Sequence, residues 1–138
     1  MNKIRIIIAI GVICLITSCA TSYKLDRTIW YNTSLVEKDG TKAIMTTSLY
    51  FFPSGTIDVY NSVRMDTLMI VEPFKYATGI YSVSGNPKSE AKIKIEAVTI
   101  DNKNIIYNGA YHKSDAMYLV SSDSITKVYG KLKGVSLP

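Results

Sequence analysis

Lys92-Ile93-Lys94-Ile95-Glu96-Ala97-Val98-Thr99-Ile100 decides the class of fold. Apolar Ile93, Ile95 and Ala97 alternate with charged Lys92, Lys94 and Glu96, a period of two. That period turns one set of side chains to a dry face of a strand and the other to water. A helical stripe would recur every three or four residues. Turn formers bound the segment, Ser84-Gly85-Asn86-Pro87 before it and Asp101-Asn102-Lys103-Asn104 after it.

Outward from there the same grammar repeats. Downstream come Ile105–His112, then Met117–Val120 after Lys113-Ser114-Asp115, then Ser124–Tyr129 after Ser121-Ser122-Asp123. Upstream lie Phe74–Val83, Thr67–Val71 closed by Glu72-Pro73, and Thr56–Val63. Before these stand Ala43–Phe52, ending at Pro53-Ser54-Gly55, and Thr28–Val36, ending at Glu37-Lys38-Asp39-Gly40. The segments are rich in Ile, Val, Thr and Tyr, and Asp-Gly is a strong hairpin signal. Consecutive strands joined by tight turns pair as antiparallel neighbours. The expectation is an all-β, up-and-down meander of about eight strands. Closure into a small barrel removes two exposed edges; a half-barrel or a flattened sandwich satisfies the same pattern. Gly79 and Gly109, midway along strands, suit sharp bends or bulges. The tail Gly130–Pro138 reads as short, basic and mobile.

The 138 residues allow one domain of ordinary size. Hydrophobic residues at 47% with charged residues at 20% exclude a disordered chain. Sixteen basic side chains against eleven acidic give +5, and removing Lys3 and Arg5 with a leader leaves 14 against 11, or +3. So mild and scattered an excess argues against nucleic acid as a partner.

A leader is what the N-terminus looks like. Lys3 and Arg5 precede an apolar run from Ile6 to Ile16, broken only by Gly11. Those 11 residues are about half of the ~20 that a helix needs to cross a bilayer, the proportions of a signal-peptide helix. Ile16-Thr17-Ser18-Cys19 resembles a bacterial lipobox, in which the cysteine is diacylated and becomes the first residue after cleavage. On that reading residues 1–18 are a lipoprotein signal peptide and 19–27 an anchor linker; 28–131 form the β domain and 132–138 the C-terminal tail. Acyl chains on Cys19, palmitate among them, would hold the protein in the bacterial cell envelope, two chains sufficing where one is marginal. Cys14 would leave with the leader, so the mature domain would rest on its core without a disulfide. Ala20 follows the cysteine, and no acid precedes Asp26. Both features resemble lipoproteins on the periplasmic face of the outer membrane.

The strand residues carry a second resemblance. Trp30, Leu49-x-Phe51 with Gly55-Thr56, and Gly79-x-Tyr81-x-Val83-x-Gly85-Asn86 are similar to the small lipocalin-like domains of bacterial lipoproteins. Tyr107-x-Gly109-x-Tyr111, Met117-x-Leu119 and Tyr129 continue the likeness, which spans residues 28–131. It implies a barrel whose inside can hold an apolar ligand. Two positions depart from the lipocalin pattern. Thr28 stands where those proteins carry glycine two residues before the tryptophan, and Lys127 or Lys131 stands where they carry an arginine that packs on it.

Groups that carry chemistry are sparse. His112 is the single histidine, beside a turn and without ligand spacing around it, and reads as a surface residue. No Gly-x-Ser-x-Gly elbow occurs, and Gly55, Gly79 and Gly85 are wrongly spaced for a phosphate cradle. Asp58, between Ile57 and Val59, takes an outward position and, with Asp66 and Glu72, reads as a solvated carboxylate. Lys88, Lys92 and Lys94 form a small basic group, a solvated face or a contact for anionic headgroups. The expectation is a protein with no catalytic residue, no metal and no cofactor. The aromatic side chains remain. Lining a barrel, Trp30, Tyr81, Tyr107 and Tyr111 would suit a small hydrophobic or amphipathic ligand, the leading expectation. The alternative is a solid barrel whose loops, Glu72-Pro73 and Ser84–Glu90, bind another envelope protein as an inhibitor, immunity factor or assembly partner.

Overall fold

The computed structural model describes residues 25–65, 69–86, 90–112 and 116–138. Residues 1–24, with Cys14 and Cys19, and likewise Asp66, Lys88 and Lys113-Ser114-Asp115, lie outside the described residues. Eight strands follow one another: β1 (Thr28–Lys38), β2 (Thr41–Phe51), β3 (Thr56–Met65), β4 (Met69–Asn86), β5 (Glu90–Thr99), β6 (Asn104–Tyr111), β7 (Ala116–Ser121) and β8 (Thr126–Lys131). Each pairs antiparallel with its neighbour in sequence, and β8 returns to β1, so the sheet is a closed up-and-down barrel.

The turns explain the simple topology. Asp39 and Gly40, both with positive φ (53° and 78°), make the two-residue hairpin between β1 and β2. Three other hairpins share one five-residue design. The first N–H reaches the fifth carbonyl: Phe52 to Thr56 at 3.0 Å, Thr99 to Lys103 at 2.9 Å, Ser121 to Ile125 at 3.1 Å. The fourth residue is left-handed in each, Gly55, Asn102 and Ser124. Gly and Asn adopt that conformation readily, while Ser124 is held there by its loop.

The longest element, β4, joins two segments that read as separate strands in the sequence. Its pairing with β3 slips twice, between Val59 and Tyr60 and between Asn61 and Val63. The first slip leaves Tyr76 as an extra residue between Lys75, opposite Tyr60, and Ala77, opposite Val59. Pro73 falls in the second slip, where a missing N–H costs no ladder bond, so the strand continues through it.

Inward side chains fill one end of the barrel. Along β5 burial alternates without a break, with Ala91, Ile93, Ile95, Ala97 and Thr99 inside. The four apolar ones join Leu25, Trp30, Leu49, Phe51, Ile57, Val59, Met117, Leu119 and others in one cluster. Two glycines let the wall close around it. A Cβ on Gly79 would stand 2.0 Å from the Glu96 carbonyl oxygen, and one on Gly109 1.7 Å from that of Tyr118. The segment after β8 is not a loose tail. Leu132 N–H donates to Ile29 O (2.8 Å) and Leu137 N–H to Arg27 O (3.1 Å), which lays the C-terminus against the N-terminal turn.

Candidate functional site

Both described termini and the β2–β3 turn lie at one end of the barrel, here called the base; the β1–β2, β5–β6 and β7–β8 turns lie at the other, the mouth. The wall is uneven at the mouth. β1 and β2 stay paired as far as Lys38 and Thr41, and β3 and β4 as far as Met65 and Met69. Opposite them, the β5–β6 and β7–β8 ladders stop at Val98–Asn104 and Val120–Thr126. β1 meets β8 through only Trp30–Lys131 and Tyr31–Gly130, after which the Asn32 side-chain amide bridges to Val128 O at 2.7 Å. A tall four-stranded wall therefore rises over a short one.

Within the mouth lies a recess of about 330 Å³ with walls from β4, β5, β6, β7 and β8. Tyr76, Ile105, Tyr107, Leu119, Ile125 and Tyr129 supply its apolar surface; Thr99, Ser121 and Lys127, with Lys103, Asn104, Ser122 and Asp123 of the two turns, supply polar groups. Burial pushes the Tyr107 and Tyr129 hydroxyls upward in pKa, and each is pushed further by a neighbouring tyrosine, Tyr76 and Tyr107 respectively. These phenols stay protonated at neutral pH and can donate hydrogen bonds. The carboxylates of the two mouth turns serve the turns. Thr99 donates to Asp101, which also pairs with Lys103 (Nζ to Oδ2, 3.1 Å), and Ser121 donates to Asp123. Those hydrogen bonds, helped by Lys103 and Lys127, hold both carboxyls below their ordinary pKa. A broader hollow of about 630 Å³ at the tip of the tall wall, over Leu35, Ile44 and Arg64, is bordered among the described residues by β1–β3 and the β1–β2 hairpin.

The four aromatic candidates separate. Trp30 is buried in the core, its indole N–H donating to Thr28 Oγ1 at 3.0 Å and its ring edge-on to Tyr111 at 6.3 Å. Of the residues that depart from the lipocalin pattern, Thr28 accepts from the Trp30 indole and Lys131 is its register partner, while Lys127 lines the mouth recess. Tyr111 is buried in the same cluster. Tyr81 packs edge-on to Phe51 at 5.0 Å and donates to Phe52 O at 3.0 Å, locking the base; burial first, then the Asp26 charge, pushes its hydroxyl up to about 12. Tyr107 alone of the four lines the mouth recess. Sequence reasoning missed Tyr76, Tyr129, Ser121 and Lys127 as its companions. A signal for the last two existed, since both are polar residues in the inward column of a strand.

The other candidates fall elsewhere. Asp58 lies on the outer wall, accepting from Thr78 at 2.9 Å and from Lys75 at 3.1 Å. Glu72-Pro73 belongs to β4 rather than to a loop, and His112 is half-buried at the end of β6. Among the described residues no three His, Cys, Asp or Glu side chains stand together as a metal site. A comparison with protein-family models, curated proteins and solved structures finds no match to this chain.

Proposed function

We propose that the protein is a lipid-anchored envelope protein that binds a small amphipathic molecule, without chemistry, in the recess at the barrel mouth. The observation that carries this reading is the recess itself. Its volume of about 330 Å³ falls at the small end of ligand sites, and its lining is amphipathic, with tyrosine, isoleucine and leucine surface set beside a polar rim that carries Lys103, Asp123 and Lys127. Tyr107, Tyr129 and Leu119 would cover the apolar part of the ligand, and Lys127 would meet a polar or anionic end. Trp30, Tyr81 and Tyr111 support the site from below by making the floor rigid.

Native mass spectrometry of the protein extracted with its acyl chains tests both parts. A mass beyond the acylated chain, on the order of a few hundred daltons, is expected for a ligand of this volume. Anilinonaphthalene sulfonate, an amphipathic anion, serves as a probe. Ile105→Trp, which fills the recess, should weaken its binding at least ~10-fold, an effect of the size expected when a pocket is occluded. Ile106→Trp, at an exposed outward position, should leave it unchanged. Equal binding to both variants, or none to the unaltered protein, overturns the reading.

One observation favours a second reading, a protein-interaction module. Beyond Asn32, β1 has no ladder partner on the β8 side, and Leu35 on that free edge is 69% exposed. Free edges accept an added strand. Co-extraction of a partner of kilodalton mass, lost on Leu35→Glu, would establish this reading in place of the first.

A further inference from the structure

We infer that the base of the barrel is a membrane-facing surface that seats on anionic lipid headgroups, so that the mouth points away from the bilayer. This rests on the reading of Cys19 as a lipid anchor.

The base is where the chain departs toward that residue. Leu25 is tucked under the barrel end, and Arg27 N–H donates to Phe51 O at 2.7 Å, so the N-terminal turn belongs to the folded body. Between it and the returning C-terminus runs a cleft of about 580 Å³. Arg27, Lys131 and Lys133 line it against one acid, Asp26. Beside the cations stand Leu132 and Val135, 39% and 47% exposed. Cations set among exposed apolar side chains are what an anionic bilayer interface accepts. The charges meet phosphates and the apolar groups enter the headgroup–acyl boundary.

Geometry removes the opposite orientation. Six residue steps separate Cys19 from Leu25, a reach of at most ~21 Å at about 3.5 Å per residue. The 11 residues of β1, tilted as in a small barrel, rise roughly 27 Å from base to tip. The tip could touch the membrane only with the base held farther away than the tether extends. Lying on a side is chemically poorer. Two of the wall cations are paired with carboxylates there, Lys75 with Asp58 at 3.1 Å and Lys94 with Glu96 at 2.7 Å.

The test uses the acylated protein in nanodiscs of phosphatidylcholine alone or of equal parts phosphatidylcholine and phosphatidylglycerol, read by hydrogen exchange. Residues 25–28 and 132–137 should exchange several-fold more slowly in the anionic discs. The mouth turns, 100–103 and 122–125, should exchange equally in both. Lys131→Gln with Lys133→Gln should abolish the difference at the base; if that pair impairs folding, Arg27→Gln, at an exposed position, should reduce it. No dependence on lipid composition, slowing at the mouth, or protection of the base by a co-extracted protein overturns the proposal. A missing acyl mass on Cys19 overturns the anchor reading instead, and the mass spectrum reports that independently of the exchange pattern.

Discussion

At the level of the recess floor, the inward columns of β1, β2, β3, β7 and β8 carry Trp30, Leu49, Val59, Leu119 and Tyr129, all buried, the last two with a face toward the recess. One inward step toward the mouth the same columns carry Asn32, Thr47, Asn61, Ser121 and Lys127. In β5 the change is from Ala97 to Thr99. Strand, parity and barrel are common to both levels, so neither backbone propensity nor topology accounts for the switch. What differs is whether the level must be dry. The base excludes water and supplies the hydrophobic term that offsets chain entropy. The mouth keeps polar groups turned inward, some satisfied by one another, as where Thr47 donates to Asn61 Oδ1 at 2.9 Å. Stability and recognition are thereby placed in separate halves, and substitutions should sort by height along the barrel more than by residue type.

The sharpest way to break this comparison uses one residue type at both heights. Phe51 is fully buried at the base, while Phe74, opposite Asn61 on the tall wall, is 41% exposed. Phe51→Ala should cost about 3–5 kcal/mol, by loss of burial and creation of a cavity. Phe74→Ala should cost less than ~1 kcal/mol because its site is already open. Urea unfolding of both variants measures the difference, and equal losses would mean that the tall wall is packed as tightly as the base.

A smaller loss, about 2–3 kcal/mol, is expected from Gly109→Ala, where an added methyl meets the backbone of β7 rather than a movable side chain. Gly40→Ala adds the same methyl with nothing within 4 Å of it, and is opposed only by a positive φ of 78°. It should cost about 1 kcal/mol. If the two substitutions prove equal, close strand approach is not the reason for glycine at 109.

How much of this was legible follows from the same division. Parity is local, so the alternation in Lys92–Ile100 reads directly as the in-and-out pattern of β5, and Asp39-Gly40 reads as a hairpin. Height is not local. Which inward residue ends in the solid floor and which at the mouth depends on register between successive strands and the stagger that closes the barrel. Trp30, Tyr81, Tyr107 and Tyr111 therefore look alike in sequence, yet only Tyr107 reaches the recess. Pro73 misleads for a different reason. Proline ends most strands, and only the slipped pairing with β3 lets β4 run through it.

Alkali sharpens the contrast without mutation. Burial raises the hydroxyl pKa of Tyr81, Tyr107, Tyr111 and Tyr129, that of Tyr81 to about 12 from 10.0. Above pH 10 the unfolded chain loses these protons while the folded chain retains them, so stability is intact below pH 10 and falls as pH rises from there toward 12. The melting temperature should be flat from neutrality to about pH 9 and drop beyond 10. Tyr81→Phe should soften that drop, although it also forfeits the bond to Phe52 O. A melting temperature that stays level to pH 12 would contradict burial of the phenols.

The smallest expected effect lies in the two mouth turns, which share a hydroxyl that donates to an aspartate two residues on. Thr99 is buried and its hydroxyl also accepts from Lys103 N–H at 3.0 Å, whereas Ser121 makes its bonds at the exposed rim of the recess. Thr99→Val, which keeps the shape and deletes the hydrogen bonds, should cost about 1 kcal/mol. Ser121→Ala should cost less than about 0.5 kcal/mol, because water replaces the lost partner. The two should reverse for probe binding, because the Thr99 hydroxyl, although it lines the same recess, is buried and committed to Asp101 and the Lys103 N–H. Ser121 belongs to the half of the barrel assigned to recognition, so its loss should weaken anilinonaphthalene sulfonate binding more than it weakens the fold. Calorimetric titration beside urea unfolding separates the two readouts. A Ser121→Ala variant that binds the probe normally yet unfolds earlier would make the mouth turn a structural element and move the division between the halves above it.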